Sequence, residues 1–287
     1  MKTTVFRAVI FNALIFLVPL LSLAVEPPYR IKTIVVDAGH GGRDGITHGL
    51  FSKEKDVALQ VALKLGKAIE ENLKDVRVLY TRTEDVYPEL RARAALANGE
   101  KADLFISIHC NSMPVVRKQV ISGYKKNKKG KRVPVYKTVT SQSTSTRGVE
   151  TFVAGFGRLD EQDVALRENA SILLEKDYKE NYDGYDPNDP ESFIIFQLMK
   201  NAFREQSIRF ASLIQKEYVA TGRIDRGVKE MNLLILQRAA MPSVLTEIGF
   251  ISNPEEEEYI NSEKGQNEIV TCLLNAIQAY KKQVEAE

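Results

Sequence analysis

The chain has 287 residues, 44% apolar and 27% charged, with 40 basic against 38 acidic side chains and a net charge of +2. That length suits one large domain, or one domain carrying insertions, of ordinary globular composition. A charge so near balance excludes general affinity for nucleic acid, and the absence of Trp argues against a broad aromatic carbohydrate platform.

The first stretch, MKTTVFRAVIFNALIFLVPLLSLAVEPP, sets Lys2 and Arg7 ahead of an apolar run over residues 8–21, then small residues at Ser22 and Ala24. This is the pattern of a secretory signal peptide, residues 1–24, and it is set aside from fold reasoning. An uncleaved membrane anchor is the other reading; the run is short for a span, which favours cleavage near Ala24. No Cys follows the small residues, which argues against a lipoprotein. The mature chain is therefore expected in the periplasm or cell envelope, with no stable membrane span. Two cysteines, Cys110 and Cys272, permit a disulfide there, but Cys110 continues an apolar run and two buried thiols stand as an equal reading.

Beyond residue 30 strands and helices alternate. A strand is expected over 30–36. A helix over 55–73 follows, with Val57, Val61, Leu65 and Ile69 at spacing four and Ala58, Ala62 and Leu73 widening the stripe. Then come a strand at 76–80, a helix at 88–98 with Pro near its start, and a buried strand, LFISIH, at 104–109. Further strands are read at 149–153, 233–236 and 243–247, and long helical stretches at 192–219 and 264–282. The alternation predicts an α/β sheet with helices on both faces, whose function gathers on the loops at the strand ends.

Two segments break this rhythm. Residues 113–147 hold ten Lys or Arg and no acid, ending in TVTSQSTST, and read as a solvated loop or hairpin inserted in the domain. Residues 159–190 begin as an acidic helix and end in DYKENYDGYDPNDP.

Three strand ends deliver polar groups. His40 follows VVDAG and is fenced by glycines that let the chain turn sharply. His109 closes LFISIH, and Glu247 closes SVLTE, where a buried carboxylate needs a cation or hydrogen bonds. Glu54 sits just before the helix at 55–73. Two imidazoles and one carboxylate form a catalytic zinc set with the fourth position open, and a second carboxylate nearby can take a proton from water. Taken singly, each has a structural alternative. His40 could bond its own loop and His109 could be a satisfied core histidine. Glu54 could face a helix dipole, and Glu247 could pair with an Arg such as Arg82.

The blocks VVDAGHGGRDG, EKDVAL, TRTEDVYPELRARAALAN, ADLFISIHCNS and MPSVLTEIGFISNPEEEEYI resemble, in order, those of the zinc-dependent N-acetylmuramoyl-L-alanine amidases of the amidase-3 type. That type is found in cell-division amidases and phage lysins. The resemblance spans residues 31 to 284 and implies a catalytic domain at 30–284 with a roughly six-stranded, mostly parallel sheet flanked by helices. It implies zinc held by His40, Glu54 and His109, with Glu247 as the catalytic acid–base. The substrate would be peptidoglycan, cut between N-acetylmuramic acid and L-alanine of the stem peptide, during wall remodelling or daughter-cell separation. His48 matches no ligand position and is read as loop; Arg82 and Asn111 match recurrent positions with structural roles. Asp37 could orient the His40 ring or cap its loop. The loop GGRDGITHGLFSK departs from the pattern by carrying Phe-Ser-Lys, although Glu54 still stands directly before Lys-Asp.

The segment 159–190 falls where division-type amidases carry a helix that covers the active site. The resemblance makes Glu168 the first candidate for an autoinhibitory glutamate and Glu175 the second, with an envelope activator displacing the helix. An ordinary amphipathic surface helix is the alternative. The rival functions are a non-catalytic peptidoglycan-binding regulator on the same fold and an envelope zinc peptidase cutting another bond. The intact set of His40, Glu54, His109 and Glu247 speaks against the regulator.

Overall fold

The structure, a computed structural model, describes residues 29–45, 47–155, 162–187 and 202–286. The expected signal peptide, the ends of the 159–190 segment and residues 192–201 of the expected helix lie outside these residues. Six strands form the main sheet: β1 (Thr33–Ala38), β2 (Arg77–Tyr80), β3 (Leu104–Asn111), β6 (Val149–Ala154), β7 (Asp225–Met231) and β8 (Ser243–Phe250). Their order is β2-β1-β3-β8-β6-β7, and every pairing is parallel except β6 against β8. The expected mostly parallel α/β sheet is what the chain forms.

Alternation along each central strand sends apolar groups to both faces, as parallel strands covered on both sides require. Ile34 and Val36 of β1 join Ile106 and Ile108 of β3 on one face, beneath α1 (Glu54–Asn72), α5 (Arg204–Ala220) and α8 (Glu263–Val284). Val35, Phe105 and Leu245 point to the opposite face, under α2 (Leu90–Gly99), α3 (Asp163–Asn169) and the short α6 (Leu234–Gln237). The stripe read on α1 is buried as expected, with Val57, Val61, Leu65 and Ile69 all 0% exposed. Each such side chain contributes about 1.5–3 kcal/mol on leaving water. A single turn of helix, α4 (Tyr178–Asn181), follows α3 in the covering segment, and α7 (Pro254–Asn261) follows β8. Pro254 opens α7 and the Asn253 side chain caps it by accepting from the amides of Glu255 and Glu256, while Ser262, whose hydroxyl accepts from the Gly265 amide, separates α7 from α8.

One expectation needs correction and one strand was not foreseen. Residues 233–236 form no strand: Leu234–Gln237 is a helical turn whose apolar side chains fill the space between sheet and α2, and four residues carry no periodicity to tell helix from strand. β7 was not foreseen, because its sequence DRGVKEM is that of a half-exposed edge strand. The basic segment is a hairpin, β4 (Val115–Lys126) with β5 (Arg132–Gln142), forming its own two-stranded sheet. Cys110 and Cys272 are both buried free thiols. Among the described residues no helix is long and apolar enough to cross a membrane.

Candidate metal centre

The carboxyl ends of β1, β3 and β8 lie side by side, so the loop after β1 and the last residues of β3 and β8 converge at one edge of the sheet. His109 and Glu247 are register partners and share a face, the one covered by α2 and α3. A register shift between His109 and Asn111 follows immediately, the irregularity that ends regular pairing beside the site.

His40 adopts φ +55°, a left-handed backbone uncommon for a residue with a side chain. The strain is held by Arg93, whose Nη2 donates to the His40 carbonyl at 2.6 Å, and by reciprocal amide bonds between Gly41 and Asp44, 3.0 Å each. Two glycines are dictated by space. A Cβ at Gly39 would lie 2.5 Å from the His109 ring, and one at Gly41 would lie 2.1 Å from the Val86 carbonyl at φ +125°. Arg82 donates to the carbonyls of Ala38, Gly39 and Lys55 at 2.7–2.9 Å, clamping the β1 loop to the start of α1. It does not pair with Glu247.

Asp44 Oδ2 lies 2.9 Å from His40 Nδ1, which leaves Nε2 as the lone-pair nitrogen. That atom faces Glu54 Oε1 and Glu168 Oε2, both at 3.2 Å. His109 Nδ1 meets the same two oxygens at 3.0 and 3.2 Å. The donor atoms of His40, Glu54, His109 and Glu168 all lie within 4.8 Å of one another, and all four residues are buried. Glu54, first residue of α1, places its carboxylate at the positive end of that helix and accepts from the Cys110 amide at 2.9 Å.

This donor set fits a divalent metal. Donors held about 2.0–2.1 Å from a tetrahedral centre are separated by about 3.3 Å, close to the four His–Glu separations of 3.0–3.2 Å. His40 Nε2, Glu54 Oε2 and Glu168 Oε2 are buried without a hydrogen-bond partner. The electrostatics agree: burial opposes charge on Glu54, but the His40 and His109 rings beside it bring its carboxyl down to about 2. Burial likewise opposes charge on His109, yet Glu168 and Glu54 push it up to about 9. Two carboxylates in so small a volume need positive charge beside them: Arg167 meets Glu168 Oε1 at 2.9 Å, and imidazolium protons or a divalent cation supply the rest.

Glu247 stands beside this group, 0% exposed, with neither carboxylate oxygen hydrogen-bonded. Burial and the neighbouring Glu168 charge push it well above the usual carboxylate range, against the pull of Arg167, whose Nη2 is 3.5 Å from Oε1. Arg167 also donates to Glu168 at 2.9 Å and to the Ser112 carbonyl at 2.8 Å, so α3 touches both the donor set and Glu247. Under α3 a space of about 10 Å³ remains beside His40, His109 and Glu168, room for one water at most. A cleft of about 840 Å³ opens alongside, bordered by His40, Arg167, Leu173, Met113 and Val115.

Glu175 lies elsewhere: its carboxylate accepts from the Tyr182 hydroxyl at 2.7 Å and the Leu90 amide at 2.9 Å, tying the covering segment to α2. His48 is exposed and bonds the Gly49 carbonyl. Asn111 accepts from the Ser112 amide and bonds Glu150. Asp37 does not orient His40; it accepts from Thr81, Arg93 and Ser107. Asp44 and Arg167 were missed by sequence reasoning. The Asp of GGRDG stands four residues after His40, and only the left-handed turn at His40 folds it back onto the ring.

A family model described as N-acetylmuramoyl-L-alanine amidase matches residues 34–279. The N-acetylmuramoyl-L-alanine amidase AmiC of Escherichia coli O6:H1 is 28% identical over 253 residues, covering 88% of this chain and 53% of that relative, so the chain spans about half its length. Among solved structures, the N-acetylmuramoyl-L-alanine amidase of Clostridium difficile 630 is 26% identical with a TM-score of 0.58, over 88% of this chain and 97% of that one. The catalytic domain of the amidase CwlV of Paenibacillus polymyxa var. colistinus is 26% identical with a TM-score of 0.55, over 87% and 97%. A match that runs from β1 into α8 takes in every strand and helix that brings His40, Glu54, His109 and Glu247 together, and on it the chain belongs to the amidase-3 family of N-acetylmuramoyl-L-alanine amidases.

Proposed function

We propose that the chain is an envelope enzyme that hydrolyses the amide between N-acetylmuramic acid and L-alanine of peptidoglycan stem peptides, with zinc held by His40, Glu54 and His109. The observation that carries this reading is the buried donor set beside a carboxylate with no hydrogen-bond partner. Membership of the family and the amidase relatives support the substrate class. We assign residues 30–284 to the catalytic domain and 1–24 to a signal peptide that delivers it to the periplasm or envelope. Wall remodelling or daughter-cell separation is the role that such cleavage serves.

When bound, zinc supplies a Lewis acid that polarises the scissile carbonyl and brings the pKa of water toward neutrality. Asp44 holds the His40 ring in the tautomer that offers Nε2. Glu247 takes the proton from the attacking water and delivers it to the departing amine nitrogen as the C–N bond breaks, leaving a lactyl carboxylate and a free L-alanine amino group. A base buried without hydrogen-bond partners suits this task, since proton uptake costs it no hydrogen bond.

The covering segment makes this an inhibited form. Glu168 fills the place that water and the scissile carbonyl need, and Arg167 holds Glu247. An envelope activator that draws α3 away would open the site. Sacculus digestion followed by mass spectrometry tests the whole reading with three proteins. The unmodified chain should release intact stem peptides slowly, Glu168→Ala faster, and Glu247→Gln about 10³-fold more slowly than the unmodified chain. Fragments cut at another bond would identify a different peptidase, and wild-type release by Glu247→Gln would remove the base assignment.

A further inference from the structure

The β4–β5 hairpin takes no part in the mechanism above, and its chemistry differs from the rest of the chain. Residues 113–147 carry +10, so the remaining residues, with 30 basic and 38 acidic side chains, carry −8. Six of the eight residues from 125 to 132, KKNKKGKR, are cations. No residue of either strand belongs to a core cluster of the described residues. An isolated two-stranded ribbon of this kind is marginal in water, so a long one with large exposed apolar side chains calls for a partner.

The register sorts the side chains by face. Ile121 pairs with Tyr136, Tyr124 with Pro134 and Lys126 with Arg132, which puts Ile121, Tyr124, Tyr136 and Arg132 on one side. Arg132 lies over the Tyr124 ring at 4.4 Å, and Ile121, Tyr124 and Tyr136 are 51–58% exposed. Val120, Lys137, Lys118 and Val139 share the other side. Arg117 on the first side and Lys118 and Lys137 on the second carry positive charge from near the root toward the Lys and Arg cluster at the tip.

The root fixes the arm's place relative to the site. β3 carries His109 and passes within a few residues into β4, and Met113, Val115 and Gln142 border the 840 Å³ cleft shared with His40 and Arg167. At about 3.3 Å per residue, twelve residues of β4 extend roughly 40 Å beyond that cleft. Given the substrate proposed above, on which this inference rests, the polymer entering the cleft carries peptide stems with free carboxylates on a sugar backbone. The rest of the mature chain is net acidic and repels such a strand, and the arm at +10 attracts it.

We infer that the β4–β5 hairpin is a second substrate-binding arm, holding the carboxylate-bearing cell-wall strand by its Lys and Arg side chains and the sugars against the Tyr124–Tyr136 face. The arm then supplies the attachment that the small closed site beneath α3 does not, and retains the polymer between cuts.

Pelleting with purified sacculi tests this in the full-length Glu247→Gln background, where no bond is cut and the outcome is independent of which bond the enzyme attacks. Replacing Lys125, Lys126, Lys128, Lys129 and Lys131 and Arg132 by Gln should weaken sacculus binding at least 10-fold at low salt and flatten its salt dependence. The five Lys→Arg replacements should bind as the parent does. Sacculi whose carboxylates have been amidated should bind the parent as poorly as untreated sacculi bind the Gln variant. Equal affinity of parent and Gln variant for untreated sacculi would overturn the inference. So would a loss of binding confined to phosphatidylglycerol vesicles with sacculus binding intact.

Discussion

β3 and the hairpin that follows it present polar groups in opposite ways. At the end of β3, His109 is 5% exposed, and its partners come from the β1 loop, α1 and α3. A few residues later, the cations of β4 and β5 stand in solvent on a ribbon that packs against nothing in the core. The first arrangement fixes atoms to within a hydrogen bond because each group is buried and over-determined. The second fixes only a charge density, whose reach is set by salt. One strand thus leads from a region built for chemistry to one suited to attraction, and substitutions in the two should differ in kind.

The largest effect is expected in the buried support. Asp37 accepts from Arg93, Ser107 and Thr81 under the His40 loop. Asp37→Asn leaves the Arg93 guanidinium buried without its counter-charge and should lower stability by about 3–5 kcal/mol, read by urea unfolding. Burial alone would raise the Asp37 carboxyl, but Arg93 and the two hydroxyls hold it below the usual carboxylate range. The sign follows: its contribution is complete above the unfolded value of about 3.9 and is lost as pH falls through the lower folded value. The variant should lose this acid-sensitive part of the unfolding profile; an unchanged profile below pH 4 would dissociate Asp37 from it.

A middle effect is expected at Asp44. Asp44→Ala frees the His40 ring to turn and should weaken zinc retention against a chelator about 10- to 100-fold with the fold intact. The smallest effect belongs to the arm. Lys128→Gln with Lys129→Gln should move the unfolding free energy by no more than about 0.5 kcal/mol, since neither side chain supports the core. A loss of several kcal/mol would erase the contrast between the two regions.

How much of this was legible in the sequence follows the same division. The central strands, α1 and the four groups His40, Glu54, His109 and Glu247 were readable, because apolar periodicity and polar residues at strand ends are local signals. Glu168 was reachable only through the resemblance to division amidases. What escaped depends on tertiary placement. Asp44 rather than Asp37 holds His40, because strand alternation turns Asp37 toward Ser107 while the left-handed turn brings Asp44 round. Arg167 reads as a surface charge until α3 docks and sets it beside Glu247. Residues 234–237 and β7 failed for want of length or apolar content, and the short helix α7 that Asn253 caps was overlooked.

In the proposed site His40, Glu54 and His109 hold zinc while Glu247 acts on water without binding the metal. Metal analysis by mass spectrometry of the purified, dialysed proteins addresses this directly. One zinc per chain is expected in the unmodified protein and in Glu247→Gln, and loss of that zinc in His109→Ala with its fold retained by circular dichroism. A full equivalent of zinc in folded His109→Ala, or its loss in Glu247→Gln, would contradict the assignment.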